Sequence, residues 1–369
     1  MEKESSIKSI CFSKADSVTT KGICILLILV HHLFFYQFFG NDVQQKFIFP
    51  HLTKFLTEYG FSLNHVFFAI TGYGIAMKLE QEQILSIIIK REKAIFKLFI
   101  PVFIFSCILY LIFTKSSINT FLQNVYGAGK IKAIGYFLID SFTLADLGKT
   151  PTLNPTWWFL SATQFVIFGS LIIFSIAKKS NLLFVIYFFL IMCQIHYGVD
   201  NLYVNCLIAG ITGGGIYMYS VIERISSCFK NIRFGIIIEA ILLLFLCFVW
   251  YILKSFVDIH FISAILIPII VFCFIHDYVS KVKYISLFFY KVGSISSYIF
   301  LLHTMFYLIV TPIRNFCYSF KYAIVTYLLV LGLSILSGVL IKECVNLTNK
   351  IFTKVLKREN ENSISNRKF

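Results

Sequence analysis

The chain reads as a succession of apolar runs, each long enough to cross a hydrocarbon layer, separated by polar links that carry most of its charge. Ten runs can be marked along its 369 residues: 22–39, 61–77, 94–113, 157–176, 182–197, 203–220, 234–253, 261–279, 292–311 and 322–341. A helix of about 20 apolar residues spans a bilayer. Lipid offers unpaired backbone groups no partner, so every run must be helical. Composition agrees: 58% of residues are hydrophobic and 14% charged, against about 25% charged in a soluble domain. The expectation is an all-α integral membrane protein, a bundle of about ten transmembrane helices.

Lysine and arginine set the orientation. With the N-terminus inside, 23 of them fall in segments facing the cytoplasm and 9 in outer links, which by the positive-inside rule predicts both termini cytoplasmic. The net charge of +15 thus reports membrane topology and not a nucleic-acid partner. Residues 1–20 form a polar cytoplasmic segment with no cleavable leader. Residues 21–341 form the transmembrane domain, and 342–369 a basic tail expected to be a frayed helix or disordered. The protein is therefore placed in the cell (plasma or inner) membrane, with the bilayer as its solvent. Ten cysteines are present without a CxxC pair, and most lie inside apolar runs. They read as small core residues and not as metal ligands.

Residues 19–36, TTKGICILLILVHHLFFY, carry the strongest functional signal. A titratable side chain inside the bilayer is costly and marks a functional site by default. Lys21 stands at the head of the run, with His31 and His32 deep within it. Eleven helical residues at 100° each return to within about 20°, so Lys21 and His32 share a face, roughly 16 Å apart along the axis. His31 points about 80° away. A third histidine, His303, falls mid-run in VGSISSYIFLLHTMFYLIV. The basic stretch KREKAIFKLFIP holds Lys90, Arg91, Lys93 and Lys97. Lys97 lies a turn inside the apolar region, where it must snorkel or meet an anion.

Other features are more ambiguous. Gly72 and Gly74, and the group Gly210, Gly213, Gly214 and Gly215, read as close-packing faces. The 114–156 link is long for a loop, and long loops are often functional. It ends in NPTWW, where Trp157 and Trp158 read first as interfacial anchors. Glu239 and Asp277 could each face an intramembrane cation.

Imidazole can take a proton from a hydroxyl and return it to a leaving group. A cationic inner edge can hold a phosphorylated cosubstrate. Together these suggest group transfer from a cytosolic donor to a hydroxyl. The rival reading is a transporter or flippase for a polyprenyl-linked or anionic substrate, which predicts symmetry between the halves. No second-half run matches the first beyond the lone His303. A purely structural or sensory membrane protein is the third reading.

The segment Lys21–His32, the FF-x3-GYG at Phe67–Gly74, the basic run before Pro101, WWFLSA at Trp157–Ala162 and SYIFLLH at Ser297–His303 follow one another in an order that resembles the membrane-bound acyltransferase 3 family. The resemblance covers about residues 16–341. It implies a membrane O-acyltransferase of about ten helices that moves an acetyl group from acetyl-CoA, or another acyl-CoA, to a hydroxyl of a cell-surface or lipid-linked carbohydrate. Other polysaccharide-assembly proteins would be partners. The family's first-run motif is Arg, ten residues, then His; here Lys21 takes the Arg place and His32 the His place. Lysine keeps the charge but lacks the planar fork. His303 matches the family's LxH. The resemblance thus makes His32 the general base, with His303 and His31 as helpers. Lys21, Arg91, Lys93 and Lys97 become the phosphate contacts, and Trp158, Asn154 and Tyr298 candidate acceptor contacts. The family's carboxylate after the tryptophan is absent: Ala162, Thr163 and Gln164 stand there.

Overall fold

A computed structural model describes residues 12–39, 45–127, 129–177, 180–197, 201–230, 232–256 and 260–365. The ends of the expected N-terminal segment and tail, 1–11 and 366–369, lie outside them. All regular secondary structure among the described residues is helical, apart from one isolated bridge between Lys46 and Tyr322. Its helices are α1 (Lys14–Phe39), α2 (Pro50–Tyr59), α3 (Asn64–Leu79), α4 (Ile84–Thr114), α5 (Ile118–Tyr126), α6 (Lys130–Ser141), α7 (Trp158–Ala177) and α8 (Leu182–Tyr197). They continue as α9 (Leu202–Met218), α10 (Val221–Lys230), α11 (Gly235–Phe256), α12 (His260–Phe274), α13 (Lys283–Gly293), α14 (Ser296–Thr304), α15 (Thr311–Tyr318) and α16 (Ala323–Ser365).

Six helical stretches among the described residues are long and apolar enough to cross a membrane, or up to eight if each of two bent pairs is one span. This is a multi-pass membrane protein. Two of the ten expected runs fall short. The runs at 61–77 and 182–197 become α3 and α8, each of 16 residues, below the length that spans hydrocarbon unaided. For α3 the reason is its place. Ten of its residues are buried, and it lies against α9, α7 and α12 instead of facing lipid. The bent pairs are α9 with α10, at 54°, and α13 with α14, at 52°. The long 114–156 link is itself built from α5 and α6. Of the two forms expected for the tail, helix or disorder, the described residues take the helix, since α16 continues to Ser365.

Sequence explains the key junctions. α1 begins earlier than the apolar run because Ser13 and Asp16 cap it reciprocally. Asp16 N–H donates to Ser13 Oγ at 3.0 Å and Ser13 N–H to Asp16 Oδ2 at 2.8 Å, a capping box in which Asp takes the usual Glu place. α1 crosses α13 where both carry glycine: a methyl at Gly22 would overlap the Phe289 carbonyl, and one at Gly293 the Val18 carbonyl. The same device joins α3 to α9, with Gly72 against Gly210 and Gly213 against Ala69. Small residues let backbones approach where lipid provides no hydrophobic drive between helices. Gly74 serves another purpose, described below, and Gly215 has open space before it.

Candidate functional site

Mid-way along α1, His31 and His32 meet His303 from α14. The His32 and His303 ring centroids are 5.0 Å apart, and those of His31 and His32 5.1 Å. Two of the three rings are oriented by backbone carbonyls. His31 Nδ1 donates to the Thr57 carbonyl of α2 at 2.5 Å. His303 Nδ1 donates to the Phe300 carbonyl at 2.7 Å and the Ile299 carbonyl at 3.1 Å. A carbonyl can only accept, so each neutral ring keeps its lone pair on Nε2. His32 differs: its Nε2 is buried and makes no hydrogen bond, while the residue as a whole is only half-buried. Among the described residues no carboxylate pairs with His32 or His303.

His303 is held in place by the segment before α7. Asn154 caps the short 3-10 turn Pro155–Trp157, its Oδ1 accepting from Thr156 N–H at 3.1 Å. Proline at the first position of that turn forfeits no needed N–H. From this turn Asn154 Nδ2 and Trp157 Nε1 both donate to the Leu301 carbonyl, at 3.2 and 3.1 Å. A side-chain chain then runs from His303 Nε2 to Thr304 Oγ1 (3.3 Å), to Thr156 Oγ1 (3.0 Å), and to Asn154 Oδ1 (2.8 Å). It has three links and two hydroxyl protons. With His303 neutral and its proton on Nδ1, one link lacks a hydrogen. With a proton on both ring nitrogens, all three close. Below His303 the helix loosens into a π turn, Met305–Ile309, a distortion often found at functional sites.

The expected acceptor contacts separate. Asn154 is fully buried and its amide is engaged on both sides, so it positions α14 and leaves no group for a substrate. Tyr298 lies against Gly338 of α16 and, five residues before His303 on α14, points about 140° away from it. Trp158 stays near the histidines: it stacks on Phe61 at 6.0 Å, and Phe61 lies 5.7 Å from His31. Trp157 is no interfacial anchor. It is 2% exposed and bonded to the core of the bundle.

The basic residues separate too. Lys21 and Arg91 come close enough to repel each other, and among the described residues neither forms a salt bridge. Arg91 Nε is buried without a partner. The guanidinium occupies the space left by Gly74, where a methyl would sit 2.7 Å from Nη2. This is the reason for the second glycine of GYG. Lys93 and Lys97 are exposed, and on α4 they point about 200° and 240° from Arg91. Lys97 lines an apolar groove between α4 and α16. Neither joins the pair, so both are withdrawn as phosphate contacts on this geometry. Lys90 instead binds Glu82 at 2.9 Å.

Sequence reasoning missed Thr57, Thr156 and Thr304. Only the adjacency of Thr304 to His303 hinted at a role; the contacts join residues far apart in the chain. The fold defines a multi-pass membrane protein in which α1 carries two of three clustered histidines and, nearer its start, a lysine beside Arg91 of α4. Compared with protein-family models, curated protein sequences and solved structures, the chain finds no match.

Proposed function

We propose that the protein is a membrane O-acyltransferase that moves an acetyl or other acyl group from a cytosolic acyl-CoA to a hydroxyl of a cell-surface or lipid-linked carbohydrate. One observation carries the reading. α1 bears Lys21 on one face, with Arg91 of α4 as its neighbour, and about three turns along an imidazole whose Nε2 has no partner. A cation pair that forms no salt bridge among the described residues, Glu82 acting on Arg91 only at longer range, suits phosphate, and an unengaged imidazole suits a base. The separation along α1, roughly 16 Å, is of the order a pantetheine arm covers.

In this reading Lys21 and Arg91 hold the phosphates of the donor. His32 Nε2 takes the proton of the acceptor hydroxyl as its oxygen forms the new bond to the thioester carbonyl. The carbon–sulfur bond breaks, and the proton passes to the departing thiolate, so atoms and charge balance. His303 lies beside His32, and its threonine chain closes fully when the ring is protonated, which supports a part in holding that proton in transit. Trp158 and Phe61 wall the site near His31. The donor enters at the Lys21 end, which the lysine and arginine distribution puts on the cytoplasmic side.

The test is transfer of labelled acetate from acetyl-CoA in membranes carrying the protein. Incorporation into a carbohydrate fraction that disappears in His32→Gln supports the reading. Movement of an unmodified lipid-linked sugar across the membrane, with no label incorporated, would favour the transporter and sink this proposal.

A further inference from the structure

A second polar site lies away from the histidines, where α10, the start of α11 and the end of α12 meet. It is a cavity of about 540 Å³ lined by Ser226, Phe234, Ile236, Glu239, Asp277 and Lys281, with Lys230 at its rim. Three buried carboxylates stand in or beside it. Asp16, from α1, is matched by His276 at 3.6 Å and by the Ser280 hydroxyl. Asp277 is matched by Lys281 at 3.2 Å and accepts from the Ser226 hydroxyl at 2.6 Å. Glu239 forms no salt bridge among the described residues, Lys281 acting on it only at longer range. It is 3% exposed, and its Oε1 makes no hydrogen bond. Asp277 lies within reach of its side chain, but a carboxylate only accepts and so brings Glu239 Oε1 no proton. The hydroxyl of nearby Tyr278 gives its one proton to the Ile236 carbonyl at 2.7 Å.

A buried carboxylate oxygen without a donor leaves the cavity one N–H or O–H short. The rest of the lining says what brings it. Lys230 and Lys281 line the same cavity and bring positive charge beside its carboxylates. Phe234, just before α11, and Ile236, in its first turn, are 64% and 58% exposed, and α11 is the least enclosed of the spanning helices. The site lies where α11 begins and α12 ends, at the termini of two helices long and apolar enough to span a membrane. A zwitterion with an ammonium at one end, a phosphate at the other and acyl chains beyond fits this order.

We infer that the cavity binds the headgroup of an amine-bearing phospholipid. Its primary ammonium meets Glu239 and Asp277, its phosphate meets Lys230 and Lys281, and its chains run along Phe234 and Ile236. A choline headgroup carries no N–H for Oε1. A glycerol headgroup brings no positive charge to Glu239. A bare cation would leave most of the cavity unfilled.

The test uses the full-length protein, purified in detergent, and native mass spectrometry with added phosphatidylethanolamine, phosphatidylcholine or phosphatidylglycerol of identical chains. Phosphatidylethanolamine should be retained about tenfold more than the other two, the value of one charge-assisted hydrogen bond. Glu239→Gln should remove that preference. Lys230→Ala, at an exposed position that does not bear on folding, should weaken retention severalfold. Free phosphoethanolamine should compete poorly; competition equal to that of the lipid would overturn the lipid as the source. Equal retention of all three lipids, or unchanged preference in both variants, would overturn the site itself. A melting curve for each variant separates lost binding from lost folding.

Discussion

At the start of α1, Asp16 is buried against opposite charge and hydroxyls: Ser13 caps it, Ser280 donates to it, and His276 stands 3.6 Å away. About four turns further along the same helix, His31 and His32 are buried with His303 and with no acid beside His32 or His303. One end is an anchor. Its charges cancel, which is how a buried carboxylate becomes tolerable. The other end uses neutral acceptors, the carbonyls of Thr57, Ile299 and Phe300, to fix two imidazoles and leaves the third open. With no carboxylate there, carbonyls alone set ring orientation and tautomer, and the cluster carries no buried charge at rest. The contrast teaches that burying a polar group and readying it for proton transfer call for different partners, and that this helix does both.

The sharpest way to break the contrast is at the unpartnered ring. His32→Gln keeps size and polarity but cannot take a proton. Acetyl transfer per amount of inserted protein should fall at least about a hundredfold, the usual contribution of a general base. His31→Ala should fall less, because His31 is pinned to Thr57 and acts by orientation. Asp16→Asn at the anchoring end should lower the melting temperature and leave the turnover of folded protein near its starting value. An Asp16→Asn variant that folds fully yet loses transfer as completely as His32→Gln would erase the distinction between the two ends.

The cation pair comes next. Arg91→Ala should raise the KM for acyl-CoA by about tenfold to a hundredfold, as expected for losing a charged contact, with a smaller change in kcat. Gly74→Leu should act in the same direction by displacing the guanidinium. Lys93→Ala and Lys97→Ala should leave KM unchanged, and this outcome separates the inward cation from the outward ones. Lys21→Arg should be tolerated. A large KM effect at Lys97 with none at Arg91 would move the donor site to the groove between α4 and α16.

The threonine chain should matter less than either. Thr304→Val keeps shape and removes one link. Transfer should drop about tenfold, the worth of one hydrogen bond near a charged group. The pH–rate profile should shift with it if His303 holds the proton; a loss of activity with an unmoved profile would leave the chain a packing role only.

Much of this was legible in the sequence, but unevenly. Apolar period and length mark most spans, and helical arithmetic alone puts Lys21 and His32 on one face. The same arithmetic separates Arg91 from Lys93 and Lys97, which read as one basic run only when taken linearly. The run count misleads at α3 and α8 because hydropathy reports burial in protein and burial in lipid alike. The bends before Tyr298 and after Met218 carry no proline, so nothing local announces them. The Asn154–Thr156–Thr304 link joins positions nearly 150 apart in sequence and follows from how α7 and α14 meet, a relation that periodicity does not contain. Glu239 and Asp277 were visible as candidates for an intramembrane cation, but which of them lacks one depends on Lys281 lying a single turn after Asp277.

A third buried carboxylate sharpens the comparison from outside the spans. Asp140, 1% exposed at the end of α6, pairs with neither a cation nor an imidazole among the described residues. Its donors are the Tyr126 hydroxyl, the Thr152 hydroxyl and the Leu153 N–H, each at 2.8 Å. Burial, against the opposing pull of these bonds, raises its pKa from 3.8 to about 6. A raised carboxyl pKa means that between about pH 4 and pH 6 the folded chain holds a proton that the unfolded chain has released, so stability falls as pH rises through that window and is level beyond it. The folded proton has a place to go: from Oδ1 it reaches Thr152 Oγ1, which can in turn donate to the Asn154 carbonyl at 3.2 Å. Asp140→Asn offers a neutral group at every pH, so this slope should vanish while the loop stays folded. The measurement is the melting temperature of both proteins across pH 4 to 8, with limited proteolysis of the 115–156 region as a local readout. The effect on turnover should be the smallest of the series, a few-fold at most, transmitted through Leu153 to Asn154 and so to His303. Identical slopes for the two proteins would mean that Asp140 is ionised throughout, and that neutral donors can hold a buried carboxylate as well as the charges around Asp16 do.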